Sequence, residues 1–351
     1  MKKLLLIMLS VVLLTGCTQM NVSSEINSEN DKLDILTLFT SETNSQNKAW
    51  VGTFQLVFND MKNNILKKDI YFKEEKPTSD LIGLNNEEFN STMLNESSYY
   101  TSYGEVSPEA KINIEKGIWD KFKEKSDILD KADWSKKDGK YYAYAMLKKQ
   151  FEFLKEFDIL EKASFNNSKE QYNFFGITDK SEKYLDKNVN VLFYNNENEY
   201  AIQLLTKTND IVYLYRTDNN NNFKKQYEKM LADSEKYQGD KYFTTLDTLK
   251  VPNLKMNVLH EYPELCHKII EGTKNLYFSN AVETIQLELD NKGGKVKSEG
   301  LLMVEKMSLL PEAQNPRHFN FDKTFTMFLI DSGKKNPYLA LRVNDLSMFQ
   351  K

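Results

Sequence analysis

Few residues of this chain are of a type and spacing suited to chemistry. Cys266 and His267 lie side by side, the pair that a thiol nucleophile and its base would need. Neighbours on a helix do not face each other, and such dyads are assembled across a fold, so the pair reads as packing and Cys266 as a small core residue. His260, His267 and His318 lack the spacing of metal ligands. No P-loop, dinucleotide fingerprint or nucleophile elbow is present. The 51 acidic residues face 47 basic ones, so they read as solvated charge rather than catalytic pairs. The positive charge is nearly all lysine and forms no stripe interleaved with aromatics, which argues against nucleic acid. The expectation is a protein that is not an enzyme and needs no cofactor or metal.

The stretch that stands out is Leu276 to Ser308. Val282, Ile285, Leu287 and Leu289 mostly alternate with polar residues, the period-two pattern of a half-buried strand. Asn291-Lys292-Gly293-Gly294 breaks the pattern. From there to Pro311 the chain has neither a helical face nor a turn, and reads as a long segment crossing the surface. Long ordered loops tend to be functional.

Ser279-Asn280-Ala281-Val282-Glu283-Thr284-Ile285-Gln286-Leu287-Glu288-Leu289-Asp290-Asn291-Lys292-Gly293-Gly294 matches S-K-A-V-H-K-A-V-L-x-V-D-E-x-G-T without a gap, and so resembles the serpin family. Phe325 to Ile330 and Leu339 to Asn344 resemble that family's closing strands. Glu115-Lys116-Gly117, Tyr141 to Phe157 and Leu249 to Met256 carry further likeness in the same order. The resemblance implies an α+β fold of mixed and antiparallel sheets with surrounding helices and an exposed reactive-loop-like segment. It implies a protease inhibitor that acts as a suicide substrate, with Met307-Ser308 as the reactive bond and a hinge of Gly293, Gly294, Val296, Ser298 and Gly300. After cleavage in that family, the loop inserts as a new strand in the main sheet. The inward positions here would be Gly294, Val296, Ser298, Gly300 and Leu302, all small or apolar, while Lys295, Lys297 and Glu299 would stay in water.

Met307 suits a chymotrypsin-like or elastase-like serine protease, or a cysteine protease of like specificity, with Lys306 offering a trypsin-like cut one bond earlier. The chain departs from the family where the main sheet opens: Glu283 and Ala145 stand where it has a histidine and an asparagine. Between Leu66 and Val106 the likeness lapses. The alternative is a non-inhibitory, serpin-shaped surface protein that binds a protein or a small ligand.

The elements that would hold this segment follow from local patterns. Residues 1–16 read as a lipoprotein signal peptide, with Lys2-Lys3, an apolar run, and Leu14-Thr15-Gly16-Cys17 placing Cys17 for lipidation. Residues 17–46 are expected to be a lipidated tether, and 47–351 the domain, anchored as a monomer on the outer face of the cell membrane. With Cys17 lipidated only Cys266 remains, so no internal disulfide is expected. Asn47 to Ile65 places Trp50, Phe54, Val57, Phe58, Met61 and Ile65 on one helical face. Ser107-Pro108-Glu109 opens a helix expected to run to Trp134. Phe174 to Arg216 reads as three aromatic-rich strands, Phe223 to Glu235 as an amphipathic helix, and Tyr262 to Glu271 as a further helix.

Overall fold

The computed structural model describes residues 33–136, 139–295 and 316–350. In chain order the strands are β1 (Asp34–Ile35), β2 (Lys48–Val51), β3 (Tyr99–Glu105), β4 (Tyr141–Leu147), β5 (Phe151–Glu152), β6 (Asp158–Ile159), β7 (Phe174–Ile177), β8 (Val189–Asn196), β9 (Glu199–Leu204) and β10 (Ile211–Arg216). They continue as β11 (Thr248–Pro252), β12 (Leu254–Glu261), β13 (Val282–Asp290), β14 (Gly293–Lys295), β15 (His318–Asn320), β16 (Phe325–Ile330) and β17 (Pro337–Val343). The helices are α1 (Thr53–Asp60), α2 (Ser79–Asn85), α3 (Pro108–Phe122) and α4 (Phe223–Lys236). Mixed and antiparallel sheets with a few surrounding helices make this an α+β fold, as expected.

The core is a seven-stranded sheet ordered β1-β2-β17-β16-β10-β9-β8. Strands β16 and β17 are buried at every residue, which explains why FTMFLI and PYLALRV read as near-continuous apolar runs rather than as alternation. Buried cations are the exception: Arg216 on β10, and a facing pair on β17 and β2. Arg342 on β17 and Lys48 on β2 are paired in register, and both are buried. The polar turn at 217–222 folds over them: Lys48 Nζ donates to the Asn220 and Asn221 carbonyls at 3.1 and 2.9 Å, and Arg342 donates to those of Thr217 and Asp218. Buried cations without hydrogen-bond acceptors would be costly, so this turn serves the core.

A second sheet, β15-β11-β7-β6, lies on the same hydrophobic core. Two further sheets matter for function. One is ordered β12-β13-β14-β5 and the other is the pair β3-β4. Leaving β4, the chain crosses Lys148–Gln150 and enters β5, so the two are successive pieces of one path. Helix α1 packs against both β4 and β13.

Several local expectations are corrected. Asn47 to Ile65 is not one helix: Trp50 belongs to β2, Gly52 caps α1, and the helix loosens into a π-helical turn over Met61–Leu66. The apolar spacing was shared between a buried strand and a helix. The helix opened by Ser107, whose Oγ accepts the Ala110 N–H at 3.1 Å, stops at Phe122 because Lys123 takes a left-handed conformation, φ 54°. Tyr262 to Glu271 makes only a short turn at Pro263–Leu265. His267 has φ 58°, and the backbone instead forms bridges from Cys266 to Phe278, Ile269 to Tyr277 and Ile270 to Phe72. Phe174 to Arg216 holds four strands rather than three. The packed chain also reaches back before position 47, since β1 pairs with β2 and Ile35, Leu36 and Leu38 are buried. Those three side chains join the core, so this part of the expected tether is folded.

Candidate functional site: a cleft between two half-sheets

Strand β13 buries Ile285, Leu287 and Leu289 as its alternation predicts, but the next inward position is Glu283 rather than Val282, which is half-buried. Val282–Leu289 of β13 pair with β12, but on its other side only Glu288–Asp290 find a described partner, in β14. Strand β4 likewise pairs only with β3 among the described residues. The edges of β13 and β4, unpaired among the described residues, form the walls of a cleft of about 1720 Å³, floored in part by Phe54, Val57 and Phe58 of α1. Unpaired strand edges present rows of N–H and C=O groups, which is the chemistry of a strand receptor.

Strand β14 stands at one end of this cleft. After the turn at Asn291 and Lys292, the chain reverses and pairs antiparallel with β13 on one side and β5 on the other. Only glycine fits there. Gly293 has φ 151°, and a Cβ on it would lie 2.2 Å from the Phe151 carbonyl oxygen. At Gly294 the same atom would meet the Phe151 ring at 2.4 Å. Gly294 is buried and Lys295 is exposed, its Nζ 3.6 Å from Glu288 Oε2.

Glu283 lies on one wall and Ala145 on the other, both buried. The sequence left open what would satisfy a buried Glu283. Its Oε1 accepts the Phe54 N–H at 2.9 Å, and its Oε2 accepts the Tyr262 hydroxyl at 2.9 Å. Gly52, the cap residue of α1, has no side chain to serve the first turn, so a carboxyl from β13 takes that role. Tyr262 is itself stacked on Phe54, with ring centroids 4.0 Å apart. A helix N-terminus favours a carboxylate by up to a kcal/mol or so. Complete burial outweighs this: desolvation pushes the Glu283 carboxyl up to about 8, against the lowering effect of its two hydrogen bonds. The group is therefore held largely neutral at neutral pH.

Tyr262 was the partner that sequence reasoning missed. The signal was present: Leu254, Met256, Val258, His260 and Tyr262 continue one alternation, and it is the same face that carries Glu283. A second anchor, Lys149, lies between β4 and β5. It is buried, with Nζ 2.7 Å from Asp210 Oδ1 and 2.7 Å from Asp331 Oδ1. Burial raises the Asp331 carboxyl, but Lys149, the Asn95 amide and Ser98 together hold it below its usual value.

Of the other residues singled out from sequence, Cys17, Val296, Ser298, Gly300, Met307 and Ser308 lie outside the described residues. Cys266 is half-buried and its thiol lies 3.4 Å from the Tyr262 carbonyl oxygen. Burial pushes that thiol up, the opposite of an activated nucleophile. Among the described residues no group of three or more His, Cys, Asp or Glu is placed to hold a metal ion.

No family model matches the chain, and no curated protein matches it. Solved structures similar to it include Serpin48 of the insect Tenebrio molitor, at 13% identity and TM-score 0.40, covering 73% of this chain and 78% of that one. Human thyroxine-binding globulin is similar at 14% identity and TM-score 0.40, covering 81% of this chain and 77% of that one.

Proposed function

We propose that the chain is a serpin-like protease inhibitor, not an enzyme, that acts as a suicide substrate. A protease of chymotrypsin-like or elastase-like specificity cuts Met307-Ser308, and the freed segment inserts between β13 and β4. The observation that carries this reading is β14, which starts the segment as a central strand aimed along the free edge of β13. Extending its ladder without a slip sets Val296 opposite Leu287, Ser298 opposite Ile285 and Gly300 opposite Glu283. Residues directly opposite share a face, so these small or apolar side chains would point inward with their buried partners. On the β5 side the same step brings Gly300 to Ala145, provided the chain through Lys148–Gln150 stays in register. Strand addition within one molecule would then satisfy both free edges.

A second reading is a non-inhibitory binding protein on the same framework. The size of the cleft and its aromatic lining by Trp134, Tyr142 and Tyr144 favour it. The test is to mix the chain, begun after Cys17, with proteases of both specificities. A complex that survives denaturing electrophoresis, with a peptide released from Ser308 onward, is expected. Clean cutting at this bond with no covalent complex would leave the binding reading. As part of the same proposal, Cys17 tethers the domain to the outer face of the membrane. Replacing it by serine is expected to release the protein into the medium, and continued membrane retention would contradict the anchor.

A further inference from the structure

Glu283 does more than fill a core position, because it ties together three elements that border the cleft. Its carboxyl is carried by β13, caps the first turn of α1 by accepting the Phe54 N–H, and accepts the hydroxyl of Tyr262 just beyond β12. Separating β13 from α1 breaks the Phe54 bond directly. We propose that Glu283 is a proton-dependent latch: as the neutral acid it pins β13 to α1, and on ionisation it releases β13 and lets the cleft open.

The physical asymmetry is plain. A neutral carboxylic acid can accept from Phe54 N–H with one oxygen and exchange a hydrogen bond with Tyr262 through the other, at little desolvation cost. A carboxylate in the same place keeps both bonds but has lost its water, and among the described residues no cation lies against it. Opening returns it to solvent, so ionisation favours the open form.

The surrounding groups leave this titration uncrowded. On β12, His260 is the ladder partner of Glu283, and its ring packs on Tyr262 at 4.5 Å between centroids. Burial holds His260 below its ordinary value, which favours the neutral ring. Glu261 at the end of β12 and Glu264 beyond it add negative potential, and burial pushes the Tyr262 hydroxyl and the Cys266 thiol up. Helix α1 carries no titratable side chain before Asp60 at its far end. On β4 the titratable groups are Tyr141, Tyr142 and Tyr144, and burial pushes Tyr144 up to about 12. Glu283 is thus the group whose charge changes first as the solution becomes mildly alkaline.

The test is native-state hydrogen exchange of the intact, uncut protein, read over residues 284–287 and divided by the intrinsic rate at each pH. Protection there should fall about tenfold between about pH 6.5 and 8, and Glu283→Gln should reduce the fall to less than about twofold. Gln can accept from Phe54 and donate to Tyr262, so it mimics the neutral acid. Tyr262→Phe removes a bond that favours the anion, and should move the fall to higher pH. Residues 325–330 in the central sheet serve as the reference and should show no matching fall. An unchanged protection in the native protein, an equal fall in Glu283→Gln, an unmoved fall in Tyr262→Phe, or a matching fall in the reference would each overturn the latch. No cleavage is involved, so this result is separable from that of the inhibitor assay.

Discussion

A carboxyl at the first turn of a helix is ordinarily ionised, and Glu283 departs from this because water cannot reach it. The consequence for stability has a definite sign. The folded-state value, about 8, lies above the ordinary value of 4.5, so the fold prefers the protonated form. This contribution is full below the unfolded value, shrinks as pH rises between the two, and is gone above about 8. Thermal melts should therefore show stability falling across that window, by something on the order of 1.4 kcal/mol per pH unit at most. Glu283→Gln should remove this dependence and be the more stable protein at about pH 8; a variant that keeps the same slope would contradict the assignment. Lys149 offers the complementary case. Lys149→Met leaves Asp210 and Asp331 buried and uncompensated, and should lower the unfolding free energy by about 3–5 kcal/mol in denaturant titration. Lys225→Met, which breaks an exposed pair with Glu42, should leave it unchanged within error. Sequence alone cannot separate these lysines. Lys148 and Lys149 are adjacent, and which of them turns inward is set where β4 gives way to β5.

At the scale of elements, β14 is the piece that joins sequence to function. Gly293→Ala places a methyl group against the Phe151 carbonyl in a backbone conformation that suits glycine. It should destabilise the protein by about 1–3 kcal/mol, and expose the Gly294 and Lys295 amides to exchange before those of β13. Equal protection in the variant would mean that β14 does not depend on this close approach. Strand β13 was legible as an alternating run ended by paired glycines, but β14 was not: the chain from Gly293 onward read as a segment crossing the surface, and it is the close approach to Phe151 that turns it into a paired strand. The helix expected over Tyr262 to Glu271 did not form. Its apolar residues also suit a path whose backbone bonds go to Phe278, Tyr277 and Phe72, and spacing cannot distinguish bonds made to distant chain from bonds made within a turn. The same ambiguity placed Trp50 on a helix. A strand buried on both faces has no alternation to betray it, and Lys48 is buried only because the turn at 217–222 closes over it.

For the molecule as a whole, the α+β class followed from short matches that agreed with one another along the chain, whereas the order of strands within each sheet did not. Nor did what joins the half-sheets, since the bonds from Glu283 to Phe54 and from Lys149 to Asp331 span most of the sequence. These long-range ties bear on the central claim. If β13 and β4 are the walls of a strand receptor, the intact chain is held short of its most stable arrangement, and cutting the segment should release it. The most direct measurement is the melting temperature of the protein cut at Met307-Ser308, beside that of the intact chain at the same pH. Insertion predicts a cut form that melts well above the intact one, with β13 more strongly protected from exchange. A cut form that melts at or below the intact temperature would contradict insertion, and the cleft would then be a binding site rather than a receptor for the chain's own strand.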